Sequence, residues 1–183
     1  NATYKAAVNS GLIHNDDPDA ANMWIPTGSF WTQPKGETHI TSAKGDTNIA
    51  LVEIDRGPYL VRPPSEAYES GERPVNVDPS NIIWLAPPGI SISENTPKIA
   101  YLWGNPTGDA PYGTFVKFPV GYEGALHSFG STFHAVVITG KLLHASAYEK
   151  GSYFSSEGEA MHQLSSAQES VIYINTNGKY KLR

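Results

Sequence analysis

Three histidines in the C-terminal half of this 183-residue chain, His127, His134 and His162, are of a type and spacing that could hold a metal ion. A neutral imidazole is a ligand for divalent transition metals. Three of them converging in an apolar pocket would hold Zn, Fe, Mn, Co or Ni with positions left open for water or substrate. The chain has no cysteine, so thiolate ligands, thiol nucleophiles and disulfides are excluded and any ion must rest on N and O donors. His14, His39 and His144 read as packed or surface residues, because a single histidine in a strand pattern is more often structural. Of these, His144 lies nearest the trio, one short strand beyond Gly140.

Positioning such a trio requires strands. The run Gly121-Tyr122-Glu123-Gly124-Ala125-Leu126-His127-Ser128-Phe129 reads as a strand in which alternation sends His127 and Phe129 the same way. Gly130-Ser131-Thr132 forms a turn, and Phe133-His134-Ala135-Val136-Val137-Ile138 follows, with His134, Val136 and Ile138 on one face. If that face turns inward, His134 lies across from His127. A turn beginning at Gly151 then leads into a strand that delivers His162. Glu157, Glu159 and Gln163 flank His162 and could orient its ring or act as general base, so Glu157 and Gln163 stand as candidate catalytic residues. Tyr112, Trp103 and Phe129 could line the mouth of the enclosure, though aromatic residues at strand positions are more often core.

Composition supports this picture. Charged residues are 17% and hydrophobic ones 39%, and the 17 glycines and 14 prolines suit many short strands joined by tight turns. Ile82-Leu85, Ile99-Trp103, Thr114-Phe118, Phe133-Thr139 and Val171-Ile174 recur with turn signals between them, which indicates a sandwich or barrel over 81–183. Residues 1–80 are expected to supply a polar, turn-rich arm to about Ala20, with Asn15-Asp16-Asp17-Pro18 as a turn, and then extra strands, of which Asn48–Ile54 is the clearest. Ser65–Asp78 reads as an exposed connection. Ile49-Ala50-Leu51 with Gly57-Pro58-Tyr59 echoes Ile99-Ala100-Tyr101-Leu102 with Pro111-Tyr112-Gly113, so the N-terminal part is either a degenerate half-copy or a set of edge-covering strands.

The formal charge of −5 and the absence of a basic cluster argue against nucleic acid as a partner. No apolar run approaches the roughly 20 residues that span a bilayer, so a soluble protein is expected. The chain opens on Asn1, which reads as the loss of a preceding segment, a signal peptide being one candidate. Periplasmic, secreted and cytoplasmic locations all stay open.

The C-terminal half resembles the cupin superfamily, the RmlC-like jelly rolls. The family's first motif runs Gly, five residues, His, one residue, His, three or four residues, Glu, then Gly. Gly121 and His127 match it, Phe129 replaces the second His, and His134 takes the place of Glu. The second motif runs Gly, five residues, Pro, one residue, Gly, two residues, His. Gly151 and His162 fit it, with Glu157 and Glu159 where Pro and Gly are usual. Tyr101-Leu102-Trp103-Gly104-Asn105, His134 to Gly140, Gly151-Ser152-Tyr153-Phe154 and Asn177-Gly178-Lys179-Tyr180 are similar to a bacterial cupin subgroup catalogued as a domain of unknown function, with ChrR-like cupins as the nearest named relatives. The resemblance implies an all-β double-stranded β-helix, one divalent metal, a small-molecule ligand and a homodimer paired through its sheets.

Two functional classes follow. One is a metal-dependent oxygenase, isomerase or hydrolase acting on a small anionic or dicarbonyl-like molecule at a three-His site. The other is a non-catalytic small-ligand-binding or sensor cupin.

Overall fold

The structure is a computed structural model that describes residues 2–16 and 22–183. The chain divides into two compact units, Asn1–Ile82 and Ile83–Arg183.

The first unit is one antiparallel sheet of β1 (Tyr4–Asp16), β2 (Trp24–Pro26), β3 (Phe30–Gln33), β4 (Ile40–Ile54) and β5 (Val75–Val77). The arm expected at the start is instead, over Tyr4–Asp16, the central strand. β4 runs along one edge of β1, and β2 and β3 follow each other along the other. Asn15, read as part of a turn, is buried with partners. Asn15 donates from Nδ2 to Gln33 Oε1 at 3.0 Å and accepts from Thr41 through Oδ1 at 3.1 Å, with neither Asn15 nor Gln33 exposed beyond 1%. Buried amides persist in a strand when each finds such a partner. Asp17 and Pro18 of the expected turn lie outside the described residues. The apolar side of this unit gathers Tyr4, Ala6, Val8, Ile13, Ile25 and Trp31. The expected exposed connection is largely exposed, and it ends in β5.

The second unit packs two five-stranded antiparallel sheets face to face. Its strands are β6 (Lys98–Trp103), β7 (Tyr112–Phe118), β8 (Tyr122–Ser128), β9 (Thr132–Thr139), β10 (Lys141–His144), β11 (Ser146–Glu149), β12 (Tyr153–Glu157), β13 (Ala160–Ser166), β14 (Ser170–Thr176) and β15 (Tyr180–Leu182). The sheet orders are β11-β10-β13-β8-β15 and β12-β9-β14-β7-β6. The first of these sheets has a thin seam, since β10 and β13 meet at the single pair Leu143↔Ser165. Inward positions are set by the core, which joins Val116 and Phe118 of β7, Leu126 of β8, Phe133, Ala135 and Val137 of β9, Leu142 of β10 and Ile172 and Ile174 of β14. Strands of this length, apolar on one face, bury that face only by closing on a second sheet. Residues 82–85, expected as a strand, contribute only a bridge from Leu85 to Ile99. No helix among the described residues is long and apolar enough to cross a membrane.

Candidate functional site

Strand parity decides which histidines enter the enclosure. On β8, Tyr122 and Leu126 belong to the core, so the odd position His127 faces outward with Phe129, on whose ring it lies at 4.0 Å between centroids. On β9, Phe133, Ala135 and Val137 point inward, which turns His134 outward. His162 pairs with Leu126 across β13 and β8, shares its face and is buried. The three imidazoles expected to converge therefore do not. His127 and His134 lie on the outer faces of different sheets, roughly 10 Å apart as layers, and His162 lies between them. Ligand bonds of about 2 Å cannot bridge that arrangement.

Each outward histidine has a local partner. His127 Nε2 is 2.7 Å from Glu159 Oε1. His134 Nδ1 is 2.6 Å from the Tyr153 hydroxyl, with the two rings stacked. His14 and His39 belong to the first unit.

Inside the barrel His162 has a companion that sequence reasoning set aside. His144 follows Leu142 on the inward face of β10, and its Nε2 is 3.3 Å from His162 Nδ1. His144 Nδ1 is 3.1 Å from the backbone oxygen of Gln163, and His162 Nε2 is 3.1 Å from Ser156 Oγ. A carbonyl can only accept, so His144 carries a proton on Nδ1, and in the neutral ring its Nε2 accepts. His162 must then donate from Nδ1 and accept through Nε2 from the Ser156 hydroxyl. With both rings neutral, these contacts form a one-way chain from Ser156 O–H to His162 to His144 to the Gln163 carbonyl. The His162 ring lies nearly parallel to Phe133 at 5.0 Å and packs against Phe154 at 5.3 Å. Tyr148 completes the cluster against His144 and Phe154.

Burial first, and the neighbouring His144 second, hold the His162 pKa below its ordinary value. Acid therefore has a predictable effect. The unfolded chain takes up this proton near pH 6.5, while the folded chain does so only at lower pH. Between those points the unfolded state binds more protons, so stability falls as pH drops through that window and levels off beneath it. His162→Phe should flatten this part of the profile when urea midpoints are compared at neutral and mildly acid pH; an unchanged slope in the variant would refute the assignment.

The candidate catalytic residues need correcting as well. Gln163 follows His162 and so points to the opposite face, where its side chain is exposed; only its backbone oxygen serves the cluster. Glu157 follows Ser156 on β12 and is likewise exposed. Glu159 partners His127 rather than His162. Of the aromatic residues expected at a mouth, Tyr112 is buried and donates to the Gly178 carbonyl at 3.0 Å, with burial pushing its phenol up to about 12. Trp103 lies over Gly113 and donates from its indole to the Tyr173 hydroxyl at 2.8 Å. Phe129 faces outward beside His127.

Whether these residues suit a metal ion can be judged from the donor set. Every nitrogen of His144 and His162 already has a partner in the chain, so a cation would have to break it. The inward slots beside them on β8 and β9 carry Leu126, Ser128 and Phe133, which add no imidazole and no carboxylate. Among the described residues no three His, Cys, Asp or Glu side chains gather at one point. The cluster does not fit a three-ligand centre, which needs three protein donors plus an open position.

Two antiparallel sheets closed over an apolar interior, with the Gly151-to-His162 spacing delivering an inward imidazole, define the second unit as a cupin jelly roll. The chain belongs to the family described as a domain of unknown function, DUF4437, which it matches over residues 1–183. In sequence it matches no curated protein. Among solved structures, it is similar to a putative dioxygenase from Nostoc punctiforme at 9% identity and a TM-score of 0.66, covering 97% of this chain and 62% of that one. The protein GK1651 of Geobacillus kaustophilus is similar at 15% identity and a TM-score of 0.61, covering 96% of this chain and 74% of that one. Quercetin 2,3-dioxygenase from Acinetobacter baumannii is similar at 8% identity and a TM-score of 0.56, covering 95% of this chain and 58% of that one. This chain thus spans under two thirds of the Nostoc and Acinetobacter proteins. At such identities the likeness is one of fold.

Proposed function

We propose that this chain is a ligand-binding cupin that works without a three-histidine metal centre and takes a small oxygen-bearing organic molecule into its barrel. The observation that carries this reading is Ser128. Its hydroxyl lies on the inward face of β8, fully buried and without a hydrogen-bond partner, two residue pairs along the strands from His162. An unsatisfied buried hydroxyl costs about 1–3 kcal/mol, and a ligand oxygen reaching it would recover that cost. The Ser156–His162–His144 chain, its ring nitrogens already engaged, holds the His162 ring in place, and Phe133 and Phe154 supply apolar walls. Sites of this composition orient a ligand with few polar groups among many apolar ones. A molecule with one or two carbonyl or carboxylate oxygens suits them, whereas a cation does not.

The test has two arms. Protein purified without a metal-affinity tag is analysed for metal, and a panel of 1,3-diketones and small carboxylates is screened by thermal shift. The expected results are well under one ion per chain, unchanged by His134→Ala, and at least one compound that raises the melting temperature of the natural protein but not of Ser128→Ala. Without ligand, Ser128→Ala should be as stable as the natural protein or more so, because it removes an unsatisfied group. One equivalent of metal lost on His162→Ala, or a panel with no responder, would overturn the reading.

A further inference from the structure

The first unit contains a pocket with no counterpart in the cluster just described. It measures about 190 Å³ and opens between the start of β1, the turn from β3 to β4, and the strap of chain that follows β4. Its walls include Pro34, Leu60 and Pro63, and three rings stand at its polar end, Tyr4, His39 and Tyr59. Tyr4 is set edge to face against His39 at 6.0 Å and against Tyr59 at 6.2 Å. The strap is held in place by Tyr68, whose N–H donates to the Gly36 carbonyl at 2.9 Å and whose ring covers the space a Gly36 side chain would fill.

Two features define what the pocket would take. The first is the Tyr4 hydroxyl, which belongs to a residue only 5% exposed yet meets His39 Nε2 and Thr41 Oγ1 only at 3.4 and 3.5 Å. Good hydroxyl bonds are about 2.7–2.8 Å, so this buried group has bonding capacity to spare. The second is charge balance. The cations on the lining, Lys35 and Arg62, are each neutralised by a carboxylate, Lys35 by Glu72 at 3.4 Å and Arg62 by Glu66 at 2.5 Å. A net anion would find no uncompensated charge on either of them, whereas a flat ring would meet the edges and faces of Tyr4 and Tyr59 in the arrangement aromatic groups prefer.

We infer that this pocket binds an uncharged single-ring aromatic molecule carrying one hydroxyl or carbonyl, with the ring against Tyr4 and Tyr59 and its oxygen at the Tyr4 hydroxyl and His39. A dry cavity of about 150 Å³ already accepts benzene, so a single ring fits the volume.

The experiment uses the full chain, titrated with phenol, benzyl alcohol, benzoate and cyclohexanol while backbone amide shifts are followed by NMR. Phenol or benzyl alcohol should give saturable shifts centred on residues 34–39 and 59–67. Benzoate and cyclohexanol should bind more weakly. Tyr4→Phe keeps the ring and the fold and should weaken phenol about five- to tenfold, the worth of one hydrogen bond. Tyr153→Phe, in the second unit, should leave binding unchanged. Absence of saturable shifts in these segments, benzoate binding tighter than phenol, or a Tyr4→Phe variant with unaltered affinity would each overturn the inference. None of these outcomes depends on the cupin interior, so it stands or falls apart from the proposal for Ser128 and His162.

Discussion

Phe133→Ala should cost about 3–5 kcal/mol, the range for deleting a fully buried aromatic side chain. Phe133 has no exposed surface and belongs to the core, where it lies flat against His162 and 6.1 Å from Phe154. Against a total of about 5–15 kcal/mol for a protein of ordinary stability, such a loss removes a large share. A melting temperature lowered by more than about 10 °C is the expected reading. The variant should also free the His162 ring, so its side-chain NMR signals should broaden or shift. Phe129→Ala, on the outer face of the neighbouring strand, provides the contrast at under about 1 kcal/mol. Equal losses in the two variants would mean that the assignment of inward and outward faces is wrong.

The second large effect is expected at Gly140, where β9 hands over to β10. Its φ is +77°, a left-handed conformation that costs other residues about 1–2 kcal/mol. A Cβ there would also come within 2.5 Å of the Glu169 carbonyl and collide with the Ser170 side chain. The Ser170 hydroxyl is itself a clamp on the next residue, accepting from Lys141 N–H and donating to the Lys141 carbonyl, each at 3.0 Å. Gly140→Val should therefore destabilise by more than about 3 kcal/mol, strain and lost clamp together. Gly158, also in the left-handed region but with open space around it, isolates the conformational part. Gly158→Ala should cost no more than about 2 kcal/mol. Because β10 carries His144, the surviving fold of the Gly140 variant should also lose the bond from His144 to Gln163. A variant as stable as the Gly158 one would show that Ser170 can move aside.

The fold could be read from the sequence because turn residues punctuate the C-terminal half, and β6, β7, β9 and β14 fall where the runs Ile99–Trp103, Thr114–Phe118, Phe133–Thr139 and Val171–Ile174 placed them. What alternation could not supply was the parity of each strand. On β9 both sets look apolar, Phe133, Ala135 and Val137 against Val136 and Ile138. A bulge opposite Val171 and Ile172 buries Ile138 as well, which erases the distinction. On β8 the same ambiguity sets Tyr122 and Leu126 against Ala125 and Phe129. A shift of one residue exchanges every side chain between faces, and so His127 and His134 lie outward while the strands stayed where expected. His144 was obscure for a related reason. β10 is four residues long, and Leu142 and Leu143 support either parity, so only the finished sandwich shows which imidazole faces the interior. At the other end of the chain, Asn15 made the end of β1 look like a turn, since its burial depends on partners far away in sequence, Gln33 and Thr41.

The meagre stitching between β10 and β13 bears on how the interior pair meets bulk water. A wall sealed by a full ladder opens only when the sheet itself comes apart, whereas this one is fastened by one residue pair and by the ring of His144 reaching over to Gln163 and to the His162 ring. Protons and small solutes can pass there through local breathing of a four-residue strand, leaving the rest of the sandwich intact. The two imidazoles, though enclosed, should thus equilibrate with the medium far faster than the protein unfolds.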